Sequence, residues 1–116
     1  MKMKENNLVE EKERQYALFK IYGGLLSSRQ KEDLENYLGF DLSLSEISNE
    51  LGVSKSAVSD SIHKAISNLE YFEDILGLHQ KRLDVNAAID SIMAVEDEKT
   101  RLKLFESLGK VIKDGI

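Results

Sequence analysis

Apolar side chains recur at spacings of three and four along most of the chain, the period of helices that bury one face. Leu8, Ala17, Leu18, Ile21, Tyr22, Leu25 and Leu26 predict a first helix over about Asn7–Leu26, with its N-terminal third weakly patterned. Ser27 and Gln30 make a capping-box pair that opens a second helix, with Leu34, Tyr37 and Leu38 inward. Gly39 ends it, and Phe40 to Ser43 form a short connector. Ser43 with Glu46 is a second capping-box pair, starting a helix that carries Ile47 and Leu51 on one face. After Gly52 the pattern restarts: Val58, Ile62, Ala65, Ile66 and Leu69 share one stripe, and Tyr71, Phe72, Ile75 and Leu76 extend it to Gly77, so this helix exceeds about twenty residues. Leu78, Val85, Ile89, Ile92 and Met93 mark a further helix. Asp97 or Glu98 begins a last one, with Leu102, Phe105, Leu108 and Ile112 on one side.

The stretch Leu44 to Ile62 has the spacing of a helix-turn-helix. Ser48 is small where the two helices must approach, Gly52 takes the positive φ of a tight turn, and Val53 plugs the corner. Ser54 caps the second helix, and Val58 and Ile62 face back onto Ile47 and Leu51. The predicted fold class is all-α: a helix-turn-helix bundle over residues 1–77, with the motif at 44–66, and a helical C-terminal extension over 78–116. The extension is expected to fold back, to dock a partner, or to pair with a second copy as a homodimer.

Composition sharpens this picture by exclusion. There is no proline, which favours uninterrupted helices, and no cysteine, which removes disulfides, thiolate chemistry and the usual zinc ligands. With His63 and His79 the only imidazoles, no metal or other cofactor is expected. No run approaches the roughly 18 apolar residues of a membrane span, and the N-terminal segment lacks a signal peptide's apolar core, so a cytoplasmic protein without membrane insertion is predicted.

Charge complicates any reading as a DNA-binding protein. The formal net charge is −5, and residues 25–79, which contain the motif, hold four cations against ten acids. Proteins that grip duplex DNA normally present a basic surface, because counterion release supplies most of the sequence-independent affinity. The candidate nucleic-acid contacts are Ser54, Lys55, Ser56, Ser59, Asp60, His63 and Lys64, on the N-terminal half of the second motif helix. Ser59, Asp60 and His63 also cluster on one helix, but a working triad orients its base from a second element and needs an oxyanion site, and neither is suggested; no enzyme is predicted.

The run LFKIYGGLLSSRQKEDLENYLGFDLSLSEISNELGVSKSAVSDSIHKAISNLEYFEDILGL resembles the YlxM family of small bacterial proteins. Leu18, Phe19, Tyr22, Leu25, Leu26, Gln30, Tyr37, Asp41, Ser43, Leu44, Glu46, Ile47, Val53, Ser54, Ala57, Val58, Asp60 and Ile62 match the family's spaced positions, over about residues 15 to 78. The resemblance implies a fold like region four of bacterial sigma factors, no catalytic activity, and a regulatory accessory role in the signal recognition particle pathway, whose GTPase or RNA would be the partner. Where the family tends to carry RQAVYDNIKR this chain has KSAVSDSIHK, so Lys55, Ser56, Ser59, Ser61 and His63 replace larger or more capable donors. Lysine and serine are poorer than arginine and glutamine at bidentate base contacts. The alternative reading is a dimeric transcriptional regulator on duplex DNA; the acidic balance favours a docking scaffold over a strong sequence reader.

Overall fold

A computed structural model describes residues 2–115, with side chains from Asn7 onward. Six α-helices account for most of it, and there is no strand among the described residues. They are α1 (Lys2–Tyr22), α2 (Ser28–Leu34), α3 (Leu44–Leu51), α4 (Lys55–Leu76), α5 (Leu78–Met93) and α6 (Glu98–Lys113). The chain divides after Gly77 into two compact units.

In the first unit α4 is the central column, packed on α1, α2 and α3. Its stripe Val58, Ile62, Ala65 and Leu69 meets Leu18 and Tyr22 of α1, Leu34 of α2 and Ile47 of α3 in one buried cluster. Each large aliphatic buried there is worth about 1.5–3 kcal/mol. The half-buried Leu51 and Val53 close the corner of the motif, as their spacing predicts.

Local chemistry sets the helix starts. Ser27 accepts from the Gln30 amide and Ser43 from the Glu46 amide, each answered by the return bond of a capping box. Gly52 (φ +69°) and Gly77 (φ +61°) close α3 and α4 in the left-handed region, where a side chain would be strained. Ser48 turns its hydroxyl across the tight turn to the Val53 carbonyl, which is why a small polar residue suits that position.

Three boundaries differ from the sequence reading. α1 starts at Lys2 rather than near Asn7 and ends at Tyr22, the chain then tightening into a 3₁₀ turn over Gly23–Leu25. Leu25 consequently points outward, 62% exposed, and Leu8 is also exposed. The second helix keeps α geometry only to Leu34, and Glu35–Gly39 is a π turn in which the Phe40 amide donates to the Glu35 carbonyl at 3.0 Å. Widening the turn lets Tyr37 and Leu38 both reach the core. Asp41 follows at φ +53°, held by an ion pair with Lys12 at 3.4 Å, while the Lys12 ammonium lies 4.4 Å from the Tyr37 ring centre.

Two polar ties bind α1 to the far half of α4. Arg14 makes paired bonds to Glu70 at 3.0 and 2.9 Å, and the Glu70 bond raises the Arg14 pKa further above its ordinary value. The buried Tyr22 hydroxyl donates to Glu73 at 2.6 Å.

The second unit is a hairpin of α5 and α6 joined by residues 94–97, a connection short enough to make the helices antiparallel neighbours. Asp97 caps α6 through the Thr100 amide at 3.0 Å, and Arg101 donates to the Val95 carbonyl at 3.2 Å, fixing the bend. Among its described residues only Ile92 is a buried apolar side chain. Of Leu102, Phe105, Leu108 and Ile112, expected on one side of the last helix, Leu108 is half-buried and the other three are exposed.

Candidate nucleic-acid interface

Burying Val58, Ile62, Ala65 and Leu69 fixes the rotation of α4, and the first two turns of the helix then present their remaining positions in three directions. Lys55, Ser56, Asp60, His63 and Lys64 are exposed, Ser59 and Ser61 are half-buried on opposite flanks, and Ser54 stands at the N-cap. Helix geometry thus brings the seven candidate residues to one end of α4 without giving them one direction.

The outward face is nearly self-neutralised. Asp60 pairs with Lys64 at 3.0 Å, so of the two cations on these turns only Lys55 has no ion pair among the described residues. Ser54 accepts from the Ala57 amide at 3.0 Å, which commits one of its lone pairs to the helix start. The free amides at this start and Lys55 are what the face offers a phosphate.

On one flank His63 folds back along the helix, its Nδ1 2.7 Å from the Ser59 carbonyl oxygen and 3.4 Å from the Ser59 hydroxyl. With Nδ1 donating to the carbonyl, Nε2 remains for a ligand. Ser59 and His63 line a cavity of 240 Å³ walled by Leu8, Lys12 and Gln15 of α1, by Tyr37, and by Ile66. The triad-like cluster is not assembled as one: Asp60 pairs with Lys64, not His63, and Nδ1 of the imidazole faces the Ser59 backbone carbonyl.

On the other flank Ala57, Asp60, Ser61 and Lys64 border a shallow depression completed by Ser27, Arg29 and Gln30 of α2. Sequence reasoning missed these three as neighbours of the interface. The Ser27–Gln30 capping signal was legible, but only as a helix start; its position beside α4 comes from packing that spacing does not encode. Arg29 adds a guanidinium there, bound at Nε to the buried Asp33 at 3.0 Å. Gln30 also accepts from Asn68 at 3.5 Å, tying the start of α2 to α4.

No group of metal-binding side chains occurs among the described residues, and none of their helices is long and apolar enough to cross a membrane.

Comparison with known proteins places this architecture. The profile of the UPF0122 family, described as "Putative helix-turn-helix protein, YlxM / p13 like", matches residues 9–109. A UPF0122 protein of Mycoplasma capricolum is 44% identical over 113 residues, spanning 97% of this chain and 96% of its own length. Similar proteins of Thermoanaerobacter sp. and Fusobacterium nucleatum are 38% and 34% identical, each over 84% of this chain and 89% and 87% of their own. With a Ser54-capped helix set across a Gly52 turn from α3, and a family match that runs through both units, the chain belongs to the UPF0122 family of YlxM/p13-like helix-turn-helix proteins.

Proposed function

We propose that this protein is a non-enzymatic, cytoplasmic regulator whose first unit, residues 1–77, contacts nucleic acid through the start of α4. Lys55 and the free helix amides take a phosphate, and Ser56 and the exposed edge of His63 reach toward bases. The observation that carries this reading is the motif geometry itself: a Gly52 turn at φ +69° between a capped α3 and a capped α4 whose outer face is solvent-exposed. Serine and lysine at the readout positions make the contact weak and sequence-tolerant.

The resemblance to the YlxM family supports a role as an accessory of the signal recognition particle pathway, with its RNA as the nucleic acid. Two measurements test this. Fluorescence anisotropy with the particle's RNA and with a mixed-sequence duplex at low salt is expected to favour the RNA and to weaken in Lys55→Ala; no binding to either overturns the nucleic-acid contact. GTP hydrolysis by the particle and its receptor is expected to change when the protein is added, and an unchanged rate overturns the pathway assignment.

The acidic excess of residues 25–79, four cations against ten acids, favours a second reading, docking on a basic protein surface, and the Asp60–Lys64 ion pair leaves the face a poor attractor of phosphate. Binding to the pathway's GTPase that persists after RNase treatment and is lost in Asp60→Lys would select it.

A further inference from the structure

Five cations against two acids make α6 a basic helix in a chain whose formal net charge is −5. Packing decides which way they point. Arg101 and Leu108 are half-buried, and Arg101 bonds back to the Val95 carbonyl, so the side carrying these two is turned to α5. At about 100° per residue, Lys99, Lys103, Lys110 and Lys113 fall within an arc of about 80° centred on the opposite side. All four are exposed, and none has an ion pair among the described residues. With a rise of about 1.5 Å per residue they form a straight track about 21 Å long. Glu106 stands inside the arc, and Asp114, just past the helix, lies at its edge.

Helix stability does not account for the track. Lys110 and Lys113 complement the negative end of the helix dipole, but Lys99 sits in the first turn, where a cation opposes it. A depression of 640 Å³ along the track is bordered by Lys103, Glu106, Ser107, Gly109, Lys110 and Lys113. Gly109 has no positive φ, and a Cβ built on it meets nothing within 4 Å, so neither backbone conformation nor crowding calls for glycine there. A missing side chain beside unpaired lysines suits the close approach of a ligand group to the helix backbone.

We infer that this outward lysine track of α6 grips the phosphate backbone of a single-stranded RNA, a second contact that rests on the nucleic-acid reading above yet uses none of its residues. Charge complementarity selects the occupant: a stacked strand carries one phosphate about every 3.4 Å, so the track runs beside about six of them. A single strand can bend into the depression at Gly109, as a stiff duplex backbone cannot. An anionic bilayer fits less well, because a helix lying on a membrane sinks apolar neighbours of its lysines, and this arc holds Glu106 and no apolar side chain.

Anisotropy of a labelled, mixed-sequence single-stranded RNA with the full-length chain, over a salt series, tests this. Each phosphate contact adds about 0.7 to the slope magnitude on a single strand, so the track contributes about 3, and with Lys55 the whole stays below about 4. Lys103→Gln with Lys110→Gln is expected to weaken binding at least about fivefold and to reduce the slope magnitude by about 1.4. Glutamine is nearly as good a helix former as lysine, so helical content by circular dichroism should stay unchanged. Lys31→Gln with Lys81→Gln, the same charge change away from the track, should bind as the parent chain does. Glu106→Gln should tighten binding by about twofold.

Unchanged binding in Lys103→Gln with Lys110→Gln overturns the inference, as does an equal loss in the charge-matched pair. If Lys55→Ala weakens binding and the track variant does not, the α4 contact stands and the track falls; the reverse result leaves the track standing alone. No binding of RNA by the parent chain overturns both. Binding to phosphatidylglycerol vesicles with none to RNA overturns the inference in favour of a membrane surface.

Discussion

Gly52 and Ser43 carry much of the motif's definition, and both were readable because their chemistry is local. At φ +69° a residue with a Cβ is strained by about 1–2 kcal/mol, so Gly52→Ala should lower the unfolding free energy by that amount, read as a lower urea midpoint with little change in slope. Ser43→Ala removes the side-chain half of a capping box and is expected to cost about 1 kcal/mol by the same measurement. The candidate site was less legible than these caps. Lys55 and Ser56 stand outward as helical spacing indicates, and His63 contacts the Ser59 carbonyl four residues back, but the cavity that this pair shares with Leu8, Lys12 and Gln15 of α1 follows from packing that spacing does not encode. The Asp60–Lys64 pairing obeys the i, i+4 rule and could have been read from the sequence alone. Arg29 could not, because its place beside α4 follows from the packing of α2.

Among the elements, starts bounded by side-chain caps fell at or within a residue of where the sequence puts them. Segments shaped by distant partners did not. The π turn over Glu35–Gly39 and the left-handed Asp41 are closed by backbone bonds from Phe40 to Glu35 and from Leu42 to Asn36, while Lys12 of α1 lies over Tyr37 and pairs with Asp41 from 29 positions away, a contact that spacing does not announce. α1 carries only a faint apolar stripe, which left its first turns unmarked; its hold on α4 rests partly on Arg14 and Tyr22. The α6 cap leads to a pH prediction. Hydrogen bonds from the Thr100 hydroxyl and amide hold the Asp97 carboxyl below its ordinary value. A depressed folded-state pKa contributes stability above the unfolded value of about 3.9 and loses it as pH falls through the folded value. The Thr100 amide resonance should therefore shift with the start of α6 loosening at acid pH, below the ordinary carboxylate range. In Asp97→Asn, which keeps a capping acceptor without the charge, that titration should be absent.

For the molecule as a whole, charge governs how any nucleic acid is held. A face whose one unpaired cation on the first turns of α4 is Lys55 releases few counterions, so the plot of log affinity against log salt is expected to be shallow, with a slope magnitude below about 4. Lys55→Ala should flatten it by about one further unit; a slope near −10 would show that a different, strongly basic surface carries the binding. The architecture also sets an order of events during synthesis. Arg14 and Tyr22 find their partners 56 and 51 residues downstream, on the last turns of α4. At ~5–20 residues per second, α1 emerges from the ribosome about 3–10 seconds before those carboxylates emerge. Through that interval the nascent chain exposes Leu18 and Tyr22, so it is a client for chaperones until α4 is complete, and the first unit then closes in one late step.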